Sequence, residues 1–280
     1  MDILVLFLQT IALRPYVFVF LAAFLFAAIR LIGWRRTWRF WVISWFTAFI
    51  CEFSSTRTGI PFGWYFYNGS TVGQELYFAD VPFMDSISFS FLLYAAYCVA
   101  LCLVLPVDRD SPSMRFGLKR LRFDGDERTG WRVFLLTAFL FAFIDMVIDP
   151  VALRGDRWFL GKIYYYPDPG VHFGVPFANY VGWAVVGLLS LAVYLPLDRR
   201  LPAHSRPGSP TSRLLLGVGL YYGVLLFNLG VTFWIGEWFM GFSGLLMHLP
   251  VLAALLVRVI DLRAAPSRSC PGSIRSGEFV

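Results

Sequence analysis

Phe49-Ile50-Cys51-Glu52-Phe53-Ser54-Ser55-Thr56-Arg57-Thr58-Gly59-Ile60-Pro61-Phe62-Gly63-Trp64-Tyr65-Phe66-Tyr67 decides how this chain is read. An apolar run ends here, and a carboxylate, Glu52, stands in its last turn. Arg57 follows five residues later, among hydroxyls at Ser54, Ser55, Thr56 and Thr58. Gly59, Pro61 and Gly63 then interrupt regular structure, and the aromatics Trp64 to Tyr67 close the stretch. Ionisable groups at membrane depth are costly and mark functional positions. A plainer reading has Arg57 snorkelling to the interface and the aromatics forming an interfacial belt.

The surrounding chain supports the membrane reading. Of its 280 residues, 58% are hydrophobic and 15% charged, against about 25% charged in soluble domains. Mean hydropathy is +0.65. Apolar runs long enough to cross a hydrocarbon core of roughly 30 Å recur throughout. They predict an all-α polytopic bundle with spans near 15–34, 37–54, 82–106, 131–149, 175–197, 213–234 and 238–259. That makes about seven transmembrane helices, or eight if residues 3–13 contribute another. Those residues are too short to span alone, and Arg14-Pro15 predicts a break after them. One integral membrane domain is expected over 1–263. A Ser/Pro/Gly-rich tail over 264–280 is expected to be a disordered cytoplasmic extension.

Basic residues give the orientation. Arg30, Arg35, Arg36 and Arg39 separate the first two spans, and Arg109, Arg115, Lys119, Arg120, Arg122, Arg128 and Arg132 the third and fourth. Further groups, from Arg199 to Arg213 and from Arg258 onward, follow spans five and seven. The other side carries only Arg14, Arg57, Arg154, Arg157 and Lys162. The positive-inside rule then predicts N-terminus out and C-terminus in, in the cytoplasmic membrane. The net charge of +6 reflects these loops and predicts no nucleic-acid partner.

Two outward loops hold the unusual chemistry. The first, from Glu52 to Asp85, adds Asp80. The second begins inside span four, where Asp145 and Asp149 lie four apart, on one helix face. Such carboxylates cost several kcal/mol unless paired, protonated or hydrated. Asp149, just before Pro150, could simply be a wet helix end; Asp145 lies one turn deeper. Trp158 follows in the loop, and Asn179 at the start of span five is a candidate donor to a carboxylate. Cys51, Cys98, Cys102 and Cys270, with His172, His204 and His248, show no metal-ligand spacing and no disulfide framework. His248 reads as a hydrogen-bonded core residue.

Three blocks carry a resemblance: Glu52 to Tyr67, Asp145 to Pro150, and Gly174-Val175-Pro176-Phe177-Ala178-Asn179-Tyr180-Val181-Gly182-Trp183. In this order they resemble the membrane carotenoid biosynthesis family, which includes γ-carotene 1′-hydroxylating hydratases and a bisanhydrobacterioruberin hydratase. The resemblance covers roughly spans two to seven. It implies a lipophilic carotenoid substrate in membrane lipid, other carotenoid-pathway enzymes as possible partners, and hydration of the terminal 1,2 double bond of an acyclic ψ-end. The residues are compatible with that chemistry. Hydration needs an acid to protonate C2 and water to capture the tertiary cation at C1. Glu52 and Asp145 are the candidate acids; Asp149, Asp80 or Asp85 could orient water as a base. Trp64, Tyr65, Tyr67 and Trp158 offer ring faces to a cation, and Arg57 is expected to fix an ionised carboxylate. Addition of water calls for no cofactor, and no dinucleotide fingerprint is present. An end-group cyclase would share the first protonation, and a non-enzymatic binding or transport protein is the other alternative. A retinal-binding protein is disfavoured because Lys119 and Lys162 both fall in loops.

Overall fold

The computed structural model describes residues 2–108, 119–123, 125–201 and 210–263. The expected tail at 264–280, His204, Cys270 and residues 109–118 of the connector lie outside these. The helices are α1 (Ile3–Leu13), α2 (Pro15–Leu31), α3 (Trp34–Thr58), α4 (Phe83–Val104), α5 (Gly125–Arg128), α6 (Trp131–Ala152), α7 (Phe177–Arg199), α8 (Pro210–Trp234) and α9 (Trp238–Leu262). Among the described residues, α4, α7, α8, α9 and α6 with the turn before it are each long and apolar enough to span a membrane. α1 and α2 would form a sixth span, bent by 93° at Arg14. This is the architecture of a helical membrane protein.

Two of the seven expected spans need qualification. α3 has 25 residues, about 37 Å of helix, but it is less apolar than the other long helices. Arg35, Arg36 and Arg39 load one end, and Glu52 and Arg57 the other. The apolar residues Trp38, Val42, Phe46, Ile50 and Phe53 still form an exposed stripe along it, as expected of a lipid-facing surface. The first span is shorter than expected because α2 ends at Leu31, ahead of Gly33 at φ +83°, and the expected break at Arg14-Pro15 is present. Pro15 occupies the first turn of α2, where its missing N–H costs nothing. α6 also differs: it runs through Pro150 to Ala152 instead of ending at Asp149.

α4 is the central helix, packed by α2, α3, α6, α8 and α9. From Met84 to Cys102 its side chains are buried except at Asp85 and Ser88. A helix apolar on all sides needs partners on all sides. At the end of the bundle remote from Glu52, Asp198 of α7 joins Arg36 of α3 at 2.5 Å and Arg128 of α5 at 2.8 Å. Both arginines are buried, although their sequence positions suggested wet loops.

At the other end, Arg14 is buried in the break between α1 and α2. Its Nη2 lies 3.0 Å from Glu75 Oε1, its Nε donates to the other carboxylate oxygen, and its Nη1 donates to the Leu160 carbonyl. Leu76 N–H donates to Thr10 Oγ1 at 2.8 Å. These bonds tie the loop carrying Glu75 and the loop carrying Leu160 to the break between α1 and α2. Removing one partner of a buried ion pair strands the other charge and costs about 3–5 kcal/mol. Glu75→Ala is therefore expected to lower the melting temperature of the detergent-solubilised protein by several degrees. An unchanged melting curve would show that Arg14 finds water there.

Candidate active site

The site begins with helix geometry. Glu52 and Arg57 are five residues apart, about 140° around α3. Glu52 therefore points into the bundle and is 2% exposed. Arg57 points out, lies 3.5 Å over the Phe53 ring and pairs with Asp80 at 2.8 Å. Both members of that pair are 42% exposed. The expected fixing of Glu52 by Arg57 is corrected: Glu52 takes its hydrogen bonds from Tyr67 and Ser86. Arg57 and Asp80 make a solvated surface pair, of small energetic weight.

α3 stops at Gly59, which adopts φ +74° and donates its N–H to the Ser55 carbonyl. A side chain at Gly59 would also meet the Trp64 indole at 2.9 Å. Ser55 Oγ then accepts from Phe62 N–H at 3.0 Å. The Phe62 ring fits against Gly182 of α7, where a Cβ would stand 2.3 Å from it. α7 thus approaches the turn closely enough to bring Asn179 over the carboxylates.

Beyond the turn, β1 (Phe66–Tyr67) pairs antiparallel with β6 (Tyr164–Tyr165). Side chains alternate across a strand. Tyr65 and Tyr67 consequently point inward from the first loop, and Tyr164 and Tyr166 from the second. Trp64 and Tyr165 point outward, 48% and 43% exposed. Trp64, expected to face a substrate cation, is therefore outside the site. Its indole covers Gly59 and stacks on Phe66. Two further short strands, β2 (Tyr77–Phe78) and β3 (Val81–Pro82), lead into α4 and deliver Asp85. At the far end, β4 (Val107–Asp108) pairs with β5 (Arg120–Leu121).

The inward groups form two carboxylate clusters. In the first, Tyr67 Oη lies 3.0 Å from Glu52 Oε1 and 2.7 Å from Asp85 Oδ2, while Ser86 Oγ donates to Glu52 Oε2. In the second, Asn179 Nδ2 donates to Asp145 Oδ2 at 2.8 Å and to Asp149 Oδ2 at 2.6 Å. Tyr164 Oη donates to Asp149 Oδ1 at 3.0 Å, and Tyr166 Oη to Asp149 Oδ2 at 2.7 Å. Asp149 is thus not a wet helix end. Asn179 is the carboxylate donor expected of it.

A proton inventory separates the clusters. Burial, reinforced by neighbouring carboxylates, holds the Tyr67, Tyr164 and Tyr166 phenols well above their ordinary titration range. Each phenol therefore carries one proton to donate. Tyr67 has two carboxyl neighbours and one proton. The second contact is a hydrogen bond only when Glu52 or Asp85 is itself protonated and donates to the phenol oxygen. Asp149 accepts from three donors, Tyr164, Tyr166 and Asn179. Asp145 Oδ2 accepts from the same Asn179 amide, and the Asp145 carboxyl lies within hydrogen-bond reach of Asp149.

Two spaces meet at these groups. A polar cavity of about 40 Å³ is lined by Glu52, Tyr65, Tyr67, Asp85, Asp149, Tyr164, Tyr166 and Asn179, with Phe62, Phe89 and Trp183 as its apolar wall. A single water needs about 10–15 Å³. Next to it lies a more apolar chamber of about 100 Å³, which includes Tyr16, Phe20, Met84, Phe91, Ile148, Trp158 and Phe227. Asp85, Asp149, Tyr164 and Trp183 border both spaces. Asp145 borders neither; it stands behind Asn179.

Tyr164, Tyr166, Ser86 and Trp183 were not among the residues expected from sequence. Tyr164 and Tyr166 face the site through the pairing of β1 with β6, which leaves no period in the sequence. Among the described residues, no three His, Cys, Asp or Glu side chains are grouped to hold a metal ion. His248 is buried on α9, with Nδ1 3.1 Å from the Gly244 carbonyl.

The comparisons with known proteins agree with one another. The family model described as "Carotenoid biosynthesis protein" matches residues 7–251. Over 144 residues the chain is 29% identical to a protein of Haloarcula japonica named bisanhydrobacterioruberin hydratase. That match spans 51% of this chain and 39% of the relative. No solved structure matches.

Proposed function

Because this chain belongs to the carotenoid biosynthesis protein family, we propose that it hydrates the terminal double bond of an acyclic carotenoid end, giving a tertiary alcohol. One observation carries the reading: Asp85 and Asp149 stand where a polar, water-sized cavity meets an apolar chamber. The alkene belongs in the chamber and the water in the cavity. The hydratase name of the Haloarcula japonica relative supports the same reaction type.

The steps balance without any change of oxidation state. The alkene π pair takes the proton carried by the Glu52–Tyr67–Asp85 cluster, forming a C–H bond at C2. Asp85 is the member of that cluster that borders the chamber. Positive charge develops at C1, within reach of the Trp183 and Tyr164 ring faces. A water oxygen bonds to C1, and Asp149, the acceptor for Tyr164, Tyr166 and Asn179, takes the water's proton. Returning that proton to the first cluster completes the cycle. The Glu52 and Asp145 roles expected from sequence change accordingly. Glu52 shares the proton through Tyr67, and Asp145 steadies Asn179.

The cyclase alternative is disfavoured by the polar cavity, since a cyclase must keep water from its cation. Expression in a host that accumulates lycopene, with pigments read by mass spectrometry, tests the proposal. A gain of one water per modified end supports it; a product of unchanged mass points to cyclisation.

The proposal extends to orientation. The positive-inside pattern puts the loops at 55–81 and 150–174 on the non-cytoplasmic side of the cell membrane, and 107–130 in the cytoplasm. Reporter fusions in each loop are expected to show that alternation. Cytoplasmic reporters in the first two would reverse the orientation without touching the carboxylate chemistry.

A further inference from the structure

Building on that reading, we propose that the isoprenoid chain enters sideways from the bilayer, between α2 and α8, through an aromatic gate of Tyr16, Phe20 and Phe227. The chamber's size requires such an opening. A cavity of about 150 Å³ accommodates a benzene ring, so about 100 Å³ admits roughly one branched five-carbon unit. The remainder of a long apolar chain must lie outside, and only lipid gives it apolar surroundings.

The seam between α2 and α8 has the matching construction. Tyr16 stacks on Phe227 at 5.3 Å, with 20° between the rings, and Phe20 meets the edge of Phe227 at 5.6 Å. All three line the chamber yet are only partly buried, whereas Val17, Val224 and Asn228 behind them are buried. The neighbouring Leu226 is 62% exposed on the outer face of α8. A few ring faces therefore separate the chamber from the outer apolar surface. Turning them aside breaks ring contacts, including those of Tyr16 and Phe227 with Phe159, but no ionic contact. The end of α2 itself is pinned by Arg14, Glu75 and the Leu160 carbonyl, so the rings move and the helix stays. Other sides of the chamber are closed by α4, by α6 and by Trp158, Leu160 and Ile163 of the second loop. A chamber of about 100 Å³ selects a slim, unringed chain end and rejects a cyclised one.

The test scores binding, so it does not depend on turnover. Protein in nanodiscs is loaded with lycopene or with a ring-ended carotenoid, and the retained pigment is read by visible absorbance. Phe227→Trp, which overfills the gate, is expected to lower lycopene retention about tenfold, the scale of one steric change in an apolar pocket. Phe227→Ala is expected to admit the ring-ended pigment that the wild type excludes. Leu189→Trp, on the exposed face of α7 away from the seam, is expected to leave retention unchanged. Wild-type retention in Phe227→Trp, an equal loss in Leu189→Trp, or no retention by the wild type would each overturn the portal. Retention without any hydrated product would overturn the hydratase reading and leave the portal standing.

Discussion

Asp85→Asn is expected to reduce hydration by about 10²–10⁴-fold, the usual weight of general acid catalysis, with the fold retained. The carboxamide keeps the size of the side chain and can still hydrogen-bond Tyr67. It removes the transferable proton at the one member of the first cluster that borders the chamber. Glu52→Gln is expected to cost less, because Glu52 borders only the polar cavity and acts through Tyr67. Tyr67→Phe should fall between them: both carboxyls remain, but the hydroxyl that joins them is gone. Initial rates in membranes with matched protein levels check the order. A dead Glu52→Gln beside a near-normal Asp85→Asn would place the departing proton on Glu52.

Asp149→Asn should be of comparable severity for the opposite reason. Asp149 is the acceptor for Tyr164, Tyr166 and Asn179, and its negative charge is what draws a proton from water. An amide in its place offers one acceptor oxygen to three donors and cannot take the proton. Asp145→Asn should be clearly milder, since Asp145 touches neither space. Thermal unfolding measured in parallel separates lost chemistry from lost packing around the orphaned donors. If Asp145→Asn is as inactive as Asp149→Asn while melting normally, the pair shares its proton and Asp145 belongs to the machinery.

Apolar run length made most of the helices legible, because spanning a hydrocarbon core leaves a pattern along the chain itself. The break at Arg14-Pro15 and the pairing of Asn179 with the carboxylates were legible for the same local reasons. Charges misled where their partners lie far away in sequence. Arg14 and Arg36 looked like loop residues, yet each is buried against a carboxylate 61 or 162 residues on. Arg57 looked like the partner of Glu52 because they are five residues apart; helix geometry sends them to different faces. Strands of two residues are too short to show a period. The inward tyrosines, which complete the site, therefore emerge only when β1 pairs with β6. Asp85 was expected as a possible base; the structure places it beside Tyr67, which also contacts Glu52.

Incubating the purified protein in lipid with an acyclic carotenoid in water enriched in heavy oxygen tests the central claim most directly. The expected product is heavier by one water, with the label in its new hydroxyl and the modified end still acyclic. A product of unchanged mass, or a hydroxyl without the label, would contradict the account.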